Sequence, residues 1–229
     1  MTENKEKLSE LDQLKKELEQ NAVKLTDSTL LFMDLSSNCT GYSICSVNFE
    51  TKRAEFKSAG AIWFNPNWSN QEKYHYLYRA ITTYFDICHK VDACVAEAYM
   101  VNSKKLCGSH IGPELHGVLQ VSLEEVGIKY HNVLVQTWRK ELGIKPITDI
   151  SKGKPKRDFK EPTKLKVLEY VSVPEKIISN ITHGERTTPT DLFDALGVGL
   201  GFLKKIGIKS FGFSKIQFQE HVNFNLDKE

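Results

Sequence analysis

The sequence predicts an α/β fold, a five-stranded mixed β-sheet flanked by helices, with one extra helix in front. Three observations lead there. Residues 28–63 hold three β-rich runs separated by short turns, as in an antiparallel meander. From residue 70 onward helical and strand patterns alternate, as they do where crossover helices join parallel strands. The chain has 229 residues and is 40% hydrophobic, enough for one such domain with a sizeable core.

The elements follow in order. Residues 4–24 are polar, with Leu8, Leu11, Leu14 and Leu18 on a thin helical stripe that must pack on something. Residues 1–26 therefore read as an accessory helix, and residues 27–229 as the main domain. Strands are expected over 29–34, 42–49 and 53–63, with a hairpin at Glu50-Thr51-Lys52. Trp63, Phe64, Pro66 and Trp68 then form an aromatic loop, read as a local cluster rather than a base-stacking platform. A helix over about 70–90 carries Tyr74, Leu77, Tyr78, Ile81 and Phe85 on one face. A strand follows over 91–97, then a loop, then a helix that Gly127 ends. A fifth strand over 130–135 and helices over about 163–171 and 189–205 complete the pattern.

Charge and cysteines narrow the class. No apolar run approaches the roughly 18 residues needed to span a membrane, and the charged first 24 residues do not resemble a signal peptide. Five Cys, an odd number with no Cys-x-x-Cys, suit a reducing cytosol. Cys107-x-x-His110 with His116 lacks the second pair that a zinc site needs. The net charge is only +2, but residues 139–166 contain ten Lys or Arg against four Asp or Glu. That stretch is at +6, and the rest of the chain is at −4. Within it, Ser151-Lys-Gly-Lys-Pro-Lys-Arg-Asp-Phe-Lys160 reads as an exposed loop, and Lys152, Lys154, Lys156 and Arg157 as a phosphate clamp.

Four acids sit where they can meet. Asp34 ends the run Leu30-Leu31-Phe32-Met33-Asp34, and Glu97 ends Ala93-Cys94-Val95-Ala96-Glu97. Each is a carboxylate at the C-terminal tip of a buried strand, facing an open edge. Asp191 and Asp194 open an apolar helix and share one face of it. Brought together, these groups repel unless cations hold them. Hard divalent cations with oxygen ligands suit them, and two such ions about 4 Å apart cleave phosphodiesters by in-line displacement. Taken singly, each acid has a plainer reading. Asp191 completes a capping box with Thr188 and Pro189, Asp34 caps a turn, and Glu97 is a solvated strand end.

The motifs taken together resemble one family. Asp34-Leu-Ser-Ser-Asn-Cys-Thr-Gly-Tyr-Ser-Ile44, Val91-Asp-Ala-Cys-Val-Ala-Glu97 and Thr190-Asp-Leu-Phe-Asp-Ala-Leu-Gly-Val198 are similar, in order and spacing, to the motifs of the RuvC Holliday-junction resolvases. The likeness covers roughly residues 28–206. The family's Gly two residues after the first Asp is Ser36 here. The resemblance implies a ribonuclease H-like fold and a homodimer that cuts four-way or branched DNA, leaving 5′ phosphate and 3′ hydroxyl. Asp34, Glu97, Asp191 and Asp194 would hold two Mg²⁺ ions, with Mn²⁺ as a substitute. It further implies Lys140 and Lys164 as catalytic cations and Arg139 as a DNA contact, with Tyr99 or Met100 as a wedge between bases. The extra helix and long basic loop suggest a divergent, phage-type member acting in the cytoplasm, the host's if viral. Two other classes remain open: a nuclease of the same fold acting on hybrids or flaps, and an actin-like nucleotide-binding protein. The second needs two phosphate turns, and this chain has one.

Overall fold

A computed structural model describes residues 27–99, 111–149, 156–174, 177 and 190–219, with Asp149, Lys156 and Arg157 described by backbone alone. β1 (Ser28–Asp34), β2 (Cys39–Asn48) and β3 (Arg53–Trp63) form the antiparallel meander. Helix α1 (Asn70–Arg79) starts at a capping box made by Ser69 and Glu72, which satisfies its first backbone donors. It continues as a π-helical stretch, Ala80–Cys88. β4 (Ala93–Glu97), α2 (Ile111–Glu125), β5 (Lys129–Val133) and α3 (Val135–Leu142) follow. Next come a small hairpin, β6 (Ile147–Asp149) with β7 (Lys156–Asp158), then α4 (Lys160–Leu168) and α5 (Thr190–Lys205). β8 (Ser210–Gly212) and β9 (Gln217–Gln219) close the described chain.

The main sheet runs β5-β4-β1-β2-β3-β8, with β9 also pairing to β3. β4 lies parallel to β1 and β5 parallel to β4, so the C-terminal tips of β1 and β4 end side by side. Alternation along the strands splits the core into two layers. Leu30, Phe32, Phe56 and Val95 face α3, α4 and α5. Leu31, Met33, Ile44 and Cys94 face α1 and α2. Leu192 to Leu203 of α5 are buried throughout, which makes α5 the central helix of its layer. Small residues let it approach closely. A Cβ on Gly199 would lie 2.8 Å from the Phe32 ring, and one on Gly201 would lie 2.5 Å from the Trp138 carbonyl oxygen.

The five expected strands are present, and β8 and β9 extend their sheet along β3. Each is three residues long, too short to show an alternation. The expected helix over 70–90 is α-helical only to Arg79. α3 was not foreseen, although Trp138 and Leu142 are spaced i, i+4 and Gly143 ends the helix at φ 69°. The stretch 151–160 is not simply a loop, because Lys156–Asp158 is a strand and Lys160 begins α4, three residues ahead of the expected start. The aromatic cluster is local: Phe64 and Trp68 pack on Tyr76, with ring centroids 6.4 and 5.0 Å away. Cys39, Cys45 and Cys94 are buried and Cys88 is exposed, while Cys107 and His110 lie outside the described residues. The accessory helix over 1–26 also lies outside them, as do Thr188 and Pro189. Among the described residues, no helix is long and apolar enough to cross a membrane.

Candidate active site

Strand alternation places the first two acids. Asp34 shares the face of Leu30 and Phe32, and Glu97 shares that of Ala93 and Val95, so both point toward the α5 layer. The register Met33↔Ala96 sets the two strand tips next to each other. Gly41, paired with Asp34 across β1 and β2, brings in the third element. A Cβ there would lie 1.9 Å from the Asp191 carbonyl oxygen, so only glycine lets the first turn of α5 lie on the sheet at this point. The Ser43 hydroxyl donates to the Ala195 carbonyl at 3.2 Å, one turn further along α5. The β1–β2 turn is held by the buried Lys73, whose ammonium donates to the Ser37 carbonyl at 3.2 Å, and by the Phe64 amide donating to the Asn38 carbonyl.

The result is a carboxylate cluster. One oxygen from each of Asp34, Asp191 and Asp194 lies within 4.8 Å of the others. Glu97 stands beside them, its Oε2 accepting from the Trp138 indole N–H at 2.8 Å. Asp194 is 1% exposed, and its Oδ1 is buried without a hydrogen-bond partner.

Among the described residues, two cations answer these charges. The Lys160 ammonium lies 3.2 Å from Asp191 Oδ1 and 2.5 Å from Asp194 Oδ2. The Arg139 guanidinium lies 3.7 Å from Asp194 Oδ1, stacked between the rings of Trp138 and Phe159. The balance remains on the acidic side. Burial, and then the charges of Asp194, Glu97 and Asp191, push the Asp34 carboxyl well above the ordinary carboxylate range. Burial also raises Glu97, against the Trp138 hydrogen bond and Arg139. It raises Asp191 as well, against Lys160. Burial opposes the charge on Lys160, but Asp194 and Asp191 outweigh it and raise its pKa. An oxygen-only donor set, mutually repelling and with one buried oxygen unsatisfied, fits a hard divalent cation.

Of the residues expected from sequence, the three aspartates converge and Glu97 adjoins them. Lys164 pairs with Glu161 at 3.9 Å, and Lys140 is exposed on α3. Arg139 pairs with Asp194 at 3.7 Å. Tyr99, 45% exposed just past Glu97, rests its ring on Gly112 at the start of α2. Met100, Lys152 and Lys154 lie outside the described residues, while Lys156 and Arg157 fall on β7. Lys160 and Trp138 were not singled out from sequence. Lys160 is one lysine among ten cations of the basic stretch, and the helical spacing of Trp138 with Leu142 was the available sign of the other.

No protein-family model matches this sequence, and no curated protein does. Among solved structures, that of Thermus thermophilus RuvC in complex with a Holliday junction substrate is similar at a TM-score of 0.51 and 13% identity, over 79% of this chain and 97% of that one. A second structure of Thermus thermophilus RuvC is similar at 0.54 and 15%, over the same shares of the two chains. Identity at this level speaks for the fold, and the chain has the ribonuclease H-like fold in the arrangement found in RuvC.

Proposed function

We propose that the chain is a divalent-cation-dependent endonuclease that resolves four-way or branched DNA junctions by paired nicks. One observation carries the reading: the convergence of Asp34, Asp191 and Asp194 to within 4.8 Å at the edge of the sheet, with Glu97 adjoining. The RuvC whose arrangement it shares is itself seen with a Holliday junction substrate, which supports junction DNA as the substrate class.

Residues 27–229 form the nuclease domain in this reading, with 1–26 accessory. Asp34, Glu97, Asp191 and Asp194 would hold two Mg²⁺ ions, with Mn²⁺ able to substitute. Bound there, the cations would lower the pKa of the attacking water and stabilise the leaving 3′ oxygen, giving 5′ phosphate and 3′ hydroxyl. Lys160 and Arg139 hold the aspartates in place. Lys140, Lys164 and the basic stretch supply positive charge toward phosphates. Tyr99 presents an exposed ring beyond Glu97, suited to resting against an unstacked base. Two-fold junction symmetry calls for an isologous dimer, with one such site for each cut strand.

The test is incubation of the purified protein and Mg²⁺ with an immobile four-way junction, a flap, an RNA–DNA hybrid and a plain duplex. The junction should be cut fastest. EDTA should abolish cleavage, and Ca²⁺, larger and looser in its coordination, should permit binding without cutting. Equal or faster cutting of the flap or hybrid would overturn the junction assignment and leave a nuclease of broader range.

The basic stretch has its own test. Replacing Lys152, Lys154, Lys156 and Arg157 together by Ala should weaken junction binding. The slope of log affinity against log salt should fall by roughly one for each phosphate that is no longer neutralised. An unchanged slope in a titration between low and moderate salt would place the hairpin away from DNA.

A further inference from the structure

We propose that Trp138 is a positioning residue for Glu97: its indole N–H engages one carboxylate oxygen and leaves the other for the cation. The inference rests on the functional reading above. Glu97 ends a strand, and its side chain, with three rotatable bonds, is free to turn unless something holds it. The Trp138 indole donates to Glu97 Oε2 at 2.8 Å.

The indole is itself locked. Trp138 has no exposed surface. It packs into α5 where Cβ atoms are missing: one on Gly197 would lie 2.8 Å from its ring, and one on Gly201 would lie 2.5 Å from its carbonyl oxygen. α5 thus does two things at once. Its N-terminal end carries Asp191 and Asp194, and the turns that follow clamp the tryptophan that holds Glu97. The residue after Trp138 completes the arrangement, with Arg139 lying 3.7 Å from Asp194 Oδ1. Adjacent positions on α3 therefore meet carboxylates from two different elements. Carboxylates that bind metals are commonly oriented by such hydrogen bonds, and removing the partner weakens metal binding about 10–100-fold.

Trp138→Phe keeps an aromatic ring and removes the donor. Mn²⁺ binding, followed by the electron paramagnetic resonance of free Mn²⁺, should weaken about 10–100-fold. In a Glu97→Gln background the same change should add little. A second measurement needs no Trp138 variant. In the wild-type protein, the indole N–H resonance of Trp138 should move as Mg²⁺ is added, and it should stay still in Glu97→Gln. Wild-type Mn²⁺ affinity in a folded Trp138→Phe protein, or an indole resonance indifferent to Mg²⁺, would overturn the assignment. If the wild-type protein binds no Mn²⁺ at all, the nuclease reading fails and takes this inference with it.

Discussion

Replacing Asp34 with Asn should abolish cleavage and, in metal-free buffer at neutral pH, raise the melting temperature. The first effect follows from loss of a ligand at the centre of the cluster. It should exceed the roughly 10–100-fold loss typical of removing an outer partner of a metal ligand. The second effect follows from the electrostatics. Burial, and then Asp194, Glu97 and Asp191, raise the Asp34 pKa in the folded chain. The folded state therefore binds this proton more tightly than the unfolded state does. The resulting stability is complete below the ordinary carboxylate range and is lost as pH rises toward the raised value. At neutral pH the tendency of this carboxyl to ionise favours the unfolded chain, while an amide of the same shape carries no such preference. Each kcal/mol relieved should appear as about 2–4 °C. A melting series in EDTA from pH 4 to 8 should show wild type falling relative to Asp34→Asn, and Mg²⁺ should then raise the wild type alone. A variant that melts lower than wild type at neutral pH in EDTA would refute this balance of charges.

Gly41→Ala should be nearly as damaging to activity, and for a different reason. The new methyl would lie 1.9 Å from the carbonyl oxygen and 2.3 Å from the carbonyl carbon of Asp191. Those are backbone atoms, so no side chain can turn aside. β2 or the first turn of α5 must shift, and the oxygens of Asp34 and Asp191 separate. A misplacement of about 1 Å costs catalysis on the order of 10²-fold, and overpacking of this kind costs roughly 1–3 kcal/mol or more of stability. Gly117→Ala is the control. Nothing lies within 4 Å of its Cβ on α2, so the added helix propensity should stabilise by about 0.5–1 kcal/mol. Gly41→Ala should lose both single-turnover cleavage and resistance to denaturant, while Gly117→Ala should keep wild-type cleavage and gain resistance to denaturant. Wild-type cleavage by Gly41→Ala would show that the site does not depend on this close approach.

These two residues also mark what the sequence could disclose. Asp34, Glu97 and the Asp191–Asp194 pair were legible because each ends or opens an uninterrupted apolar run. The strand register Met33↔Ala96 then brings the tips together. Gly41 was visible as part of a motif, but its reason, the carbonyl of Asp191 lying against it, is a contact between residues 150 positions apart. Lys160 was hidden for a related reason. Charge counts mark the basic stretch without saying which lysine turns inward, and only the start of α4 decides it. Glu97 was expected to serve like the aspartates. Its bond to Trp138 depends on α3, a helix of eight residues whose pattern is too short to stand out. β8 and β9 escaped notice in the same way, since three residues carry no period.

The most direct test of the proposed function is a plasmid carrying an extruded cruciform, incubated with the protein and Mg²⁺ and sampled over a single encounter. Paired cuts on opposing strands should convert supercoiled plasmid directly to the linear form, with little nicked circle, and Asp194→Asn should yield neither product. Nicked circle accumulating ahead of linear product, or cleavage that survives Asp194→Asn, would contradict a paired, carboxylate-dependent junction nuclease.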